Sequence, residues 1–84
     1  MKAGQIVKAT AGRDKNSFFV VTQVDGKYAV ICDGKHRPVD RQKRKKLIHL
    51  SKTNHIVDLQ TVKTNKEFRK VLHQFNFSNY REED

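Results

Sequence analysis

Seven of the chain's 18 Lys and Arg residues lie between Lys35 and Lys46, in KHRPVDRQKRKK, where the sole acid is Asp40. Arg41, Lys43, Arg44, Lys45 and Lys46 are so closely spaced that they repel one another unless counter-charge is supplied, and they gain nothing from apolar packing. The chemistry open to such a run is neutralisation of a polyanion. Arg can grip a phosphate with two parallel hydrogen bonds, and Lys acts as a mobile point charge. A solvated charge run is the ordinary explanation of such a segment. Here the whole chain carries a formal net charge of +9 over 84 residues, which favours association with a polyanion.

The remaining reactive side chains exclude more than they suggest. Ser17, Ser51 and Ser78 sit in no nucleophile motif, no glycine-rich phosphate loop of the P-loop or dinucleotide type occurs, and no clustered acids could act as general acid and base. The chain is therefore not expected to be an enzyme or to need a cofactor. Cys32 is the single cysteine, so no internal disulfide can form, and its setting after Tyr28-Ala-Val-Ile suggests a small buried hydrophobe. His36, His49, His55 and His73 lack zinc-site spacing, and no metal site is expected. An anionic membrane would need a basic amphipathic helix or an apolar anchor beside the basic run, and neither is present. No apolar run approaches the roughly 18 residues of a membrane span, and MKAGQIVK lacks a signal-peptide core, so a cytoplasmic protein is expected.

These side chains have to be positioned by a small β structure. Ile6 and Val7 mark a first strand, Phe18 to Val24 a second and Tyr28 to Cys32 a third, each rich in β-branched or aromatic residues. Asp25-Gly26 predicts a tight hairpin between the second and third. Asp33-Gly34 repeats the device and predicts a short edge strand around Arg37 to Val39, where Pro38 cannot donate to a ladder. Lys46 to Leu50 reads as the last strand, so that the basic run would link the fourth strand to the fifth on the surface of a small closed barrel. The period then changes. Phe68, Val71, Leu72 and Phe75 fall at helical spacing, with Asn65 as a candidate cap and Glu67 in the first turn, which predicts a helix near 66–75 docking on the sheet. Residues 1–50 would form the barrel, and 51–84 a connector, the helix and an acidic tail on the same single domain. Lys52 to Lys63 is ambiguous between a further short strand and a packed connector. A monomer is the default, because one core uses the apolar positions.

Gly4 to Asn16, GQIVKATAGRDKN, followed by Phe18-Phe-Val-Val21, resembles the KOW motif: a glycine-led strand, a loop of glycine and basic residues, then a hydrophobic strand. The resemblance spans about Gly4 to Leu50. It looks closest to small KOW proteins of the archaeal and eukaryotic large ribosomal subunit, with bacterial KOW-domain RNA-binding proteins of similar length as the best family match. It implies an SH3-like five-strand barrel and contact with RNA, most often ribosomal RNA, with ribosomal proteins as further neighbours. Gly12 matches the loop glycine, and Arg13 and Lys15 match its basic positions. Asn16 stands where the family usually has a second glycine, a departure that Asn tolerates because it accepts positive φ.

The expected function is thus non-catalytic RNA binding, with Gly12, Arg13, Lys15, Asn16, Lys35, His36, Arg37, Arg41, Lys43, Arg44, Lys45 and Lys46 as candidate contacts. His36 and Gln42 could add polar contacts. Recognition of RNA shape and backbone is expected more than base reading, since the core claims most of the five Phe and two Tyr side chains. Tyr28 and Phe77 are the rings that could stack on a base. The alternative is a protein-interaction module that docks on an acidic surface of the transcription or translation machinery, as some KOW domains do.

Overall fold

The computed structural model describes residues 1–76. Five strands, β1 (Gln5–Ala9), β2 (Phe18–Asp25), β3 (Tyr28–Cys32), β4 (Lys43–Lys46) and β5 (Leu50–Ile56), precede one helix, α1 (Asn65–Asn76). All pairings are antiparallel, in the order β4-β3-β2-β1-β5. The fold is mainly β and consistent with a small SH3-like barrel type, but the sheet is not closed, so β4 and β5 remain its edges.

The central strand explains the two-sided core. Phe18 to Val21 are all buried, and an uninterrupted apolar run fits a strand covered on both faces. On one face, Ile6, Phe18, Val20 and Cys32 meet Phe68, Leu72 and Phe75 of α1, with Val62 beside them. On the other, the curled sheet packs Val7, Ala9, Phe19, Val21, Ala29, Ile31 and Leu50 against one another, with Met1 and Leu47 at the margin. Cys32 is fully buried in the helix-facing cluster, and burial pushes its thiol pKa up, as suits a hydrophobe and not a nucleophile.

The hairpin between β2 and β3 forms as its sequence predicts, through the two-residue loop Gly26-Lys27 between the partners Asp25 and Tyr28. The fourth strand does not. Arg37 to Val39 is no strand, because Asp33 Oδ1 accepts the backbone N–H groups of Lys35 (2.9 Å) and Arg37 (2.8 Å) and closes a compact loop. A short 3-10 turn, Val39–Arg41, follows. The basic segment Lys43–Lys46 is itself the fourth strand, not a linker. Likewise Leu47–His49 is a second 3-10 turn, so the last strand starts at Leu50 and runs on to Ile56 beyond the expected end of the barrel region.

Helix α1 covers the sheet as its period predicts, with Phe68, Leu72 and Phe75 buried and Val71 partly so. Its cap is Thr64 and not Asn65. Glu67 N–H donates to Thr64 Oγ1 (3.1 Å) while Glu67 Oε1 accepts from Thr64 N–H (3.0 Å), a reciprocal capping box. Asn65 Oδ1 instead accepts the N–H of Val39 (2.8 Å), tying the helix start to the loop before β4. At the other end Asn76 accepts Phe18 N–H (2.8 Å) and donates to Phe18 O (3.2 Å), which fixes the helix to the first residue of β2. The acidic tail expected over Tyr80 to Asp84, and Phe77, lie outside the described residues.

Candidate nucleic-acid interface

The loop between β1 and β2 is built from its ends inward. Ala9 N–H donates to Ser17 O (2.9 Å) and Asn16 N–H to Ala9 O (2.8 Å), which closes the loop at its base. Two residues then take positive φ, Gly12 at 80° and Asn16 at 75°, the tight conformation that glycine accepts freely and asparagine better than most. A side chain at Gly12 would meet only the Lys45 ammonium, so turn geometry explains this glycine. The consequence is directional. Arg13 and Lys15 are exposed on the loop, while Asp14 between them is turned inward and buried.

Asp14 organises the site. Its Oδ2 accepts from Arg37 Nη2 at 2.9 Å and from Arg37 Nε at 3.3 Å, and Lys45 Nζ lies 3.9 Å from the same oxygen. A buried carboxylate is costly unless paired and hydrogen-bonded, and here two cations from separate segments supply that pairing. One acid therefore draws together the β1–β2 loop, the β3–β4 loop and the edge strand. Arg13, Asp14, His36 and Arg37 line one cavity of about 340 Å³ with Ser17 and Phe19. An adjoining cleft of about 160 Å³ brings Asn16, Lys35 and His36 beside Arg69 and Asn76 of α1.

The basic run, by contrast, is divided. In β4, Lys43 and Lys45 stand opposite Ile31 and Ala29 on the inner face, whereas Arg44 and Lys46 stand opposite Val30 and Tyr28 on the outer face. Lys45 keeps only 10 % of its side chain exposed and points to Asp14. Lys43, Arg44 and Lys46 are exposed. Arg44 also lies over the Tyr28 ring and within 3.9 Å of Asp25. Arg41 is exposed on the 3-10 turn. Two expected contacts are thus internal supports: Arg37 and Lys45 hold the loops through Asp14. Gln42 is a third, since its side chain bonds Thr22 Oγ1 and Val39 O, anchoring the start of β4 to the irregular pairing of β2.

Asp14 and Arg69 are not among the residues that the sequence singles out. An acid inside a basic glycine loop was a legible sign of an internal partner, because such a loop would otherwise carry cations alone. Arg69 gave no sign, since its Nη1–H bond to Gly34 O (2.8 Å) depends on how the helix lies across the β3–β4 loop. That crossing is close. Any side chain at Gly34 would run into the backbone carbonyl of Asn65.

Among the described residues no group of three or more His, Cys, Asp or Glu side chains could hold a metal ion, and no helix is long and apolar enough to cross a membrane. No protein-family model matches the chain, and no curated protein is significantly similar to it.

Proposed function

We propose that the chain is a non-catalytic RNA-binding protein that engages ribosomal RNA or the ribosome through its β1–β2 loop and the outward cations of its basic run. The observation that carries this reading is the buried Asp14, which draws Arg37 and Lys45 inward and sets two loops side by side with Arg13, Lys15, Lys35 and His36 exposed. Dense phosphates are the natural counter-charge for such a surface, with release of condensed counterions as the driving force.

The edge strand favours the same partner. Four consecutive cations on an open edge oppose pairing with another strand, which weighs against a protein-docking module that works by strand addition. The KOW resemblance of Gly4 to Leu50 supplies the ribosomal part of the proposal, with ribosomal proteins as further neighbours and the cytoplasm as the compartment. Purification from cell extract with and without RNase tests it. Association with ribosomal particles that RNase abolishes is expected; association that survives RNase but is lost with a protein partner would contradict it.

A further inference from the structure

The outer side of the β3–β4 hairpin carries a feature that backbone neutralisation does not use. Tyr28 opens β3 opposite Lys46, and Arg44, on the same face of β4, sets its guanidinium carbon 3.9 Å from the Tyr28 ring centroid. That distance permits cation–π attraction, which fixes the ring against the sheet. Beside the ring lies an open cavity of about 580 Å³, lined by Gly26, Lys27, Tyr28, Lys46, Leu47 and Ile48. Arg44 is not among its walls.

The lining combines one aromatic ring, two aliphatic side chains and two lysines, with no acid. Leu47 is anchored in the inner core cluster, whereas Ile48 is 80 % exposed on its 3-10 turn. An occupant that is flat and apolar on its faces and anionic at its edge fits all of these walls at once.

We infer that this cavity receives one unpaired nucleobase of the bound RNA, stacked on Tyr28 beside Ile48, with the flanking phosphates held by Lys27 and Lys46. The site rests on the RNA-binding reading and adds to it a preference for a bulged or looped-out nucleotide over continuous duplex. Every base has a π-face, so the stack is tolerant of sequence. A cavity of this size lies within the range of about 300 to 1,000 Å³ common for small-ligand sites.

The test uses the full chain and two RNA hairpins that differ by a single unpaired 2-aminopurine, whose fluorescence falls on stacking. The wild-type protein is expected to quench the 2-aminopurine and to bind the bulged hairpin more tightly than the continuous one. Tyr28→Phe should retain both effects. Tyr28→Leu should abolish quenching and weaken binding of the bulged hairpin about 5- to 160-fold, the range for loss of one base–aromatic stack, while leaving continuous duplex binding unchanged. RNA binding by the wild-type protein with neither quenching nor preference would overturn the stacking site alone and leave the groove to a protein side chain. No binding to either hairpin at low salt would overturn the RNA reading itself. Because the quenching is read on the unaltered protein, a Tyr28→Leu variant that fails to fold does not spare the proposal.

Discussion

Lys45 and Lys46 are neighbours of the same type, and the strand gives them opposite work. Lys45 faces the curled interior and reaches buried Asp14, whereas Lys46 faces outward across from Tyr28. The sequence shows five near-contiguous cations and predicts equal roles; only the pleat of β4 separates them. Lys45→Gln is expected to destabilise the fold by about 1 kcal/mol, since Asp14 keeps its hydrogen bonds from Arg37 and loses only the second cation 3.9 Å away, and to leave the salt dependence of RNA binding unchanged. Lys46→Gln should leave stability within about 0.5 kcal/mol and flatten the salt slope by about 1. Denaturant unfolding and binding titrations over a salt series check the contrast. The Arg13 and Lys15 pair belongs with Lys46: changing both to Ala should weaken RNA binding and spare the unfolding midpoint, because both side chains are exposed and the loop is held by its backbone bonds to Ala9 and by Asp14. Unchanged affinity would make the loop a turn and nothing more.

At the level of elements, α1 is where local signals and packing agree best. Its apolar face was legible from Phe68, Leu72 and Phe75 at helical spacing, and burial of all three follows from the need to cover the β1–β2–β3 face. Leu72 keeps only 1 % of its surface exposed, so Leu72→Ala should cost about 2 to 5 kcal/mol in an unfolding experiment. Glu67 adds a pH dependence. Its carboxylate accepts the backbone N–H groups of Lys63 and Thr64, and these bonds hold its pKa below the ordinary 4.5. A carboxyl depressed in the folded state contributes stability that is present above its unfolded pKa and lost as pH falls through the folded one. Helix content should therefore decline as pH drops below about 4.5, and Glu67→Gln should flatten that decline, which circular dichroism can follow. The cap itself was misread because Thr64 and Asn65 are both good capping residues, and the choice falls to Val39 N–H, a long-range partner of Asn65. The same limit applies to β4. Asp33-Gly34 and Pro38 suggest an edge strand at Arg37 to Val39, but Asp33 captures the backbone of Lys35 and Arg37 and delays pairing until Lys43.

On the scale of the whole molecule, the sheet stays open and its basic edge is displayed and not buried. Hairpin, helix and two-sided core follow from turn dipeptides and periodicity, which act over a few residues. The partition of the cations follows from contacts between distant segments, Asp14 with Arg37 and Lys45, and Arg69 with Gly34. Such contacts leave no periodic trace. The central claim is that the exposed cations of β4 neutralise RNA phosphates, and the direct measurement is the affinity for a folded ribosomal RNA fragment as a function of salt. With about five phosphates engaged, the log–log slope should be about −4, and substituting Lys43, Arg44 or Lys46 by Gln should each flatten it by about 1. A slope near zero, or one untouched by all three substitutions, would contradict the account.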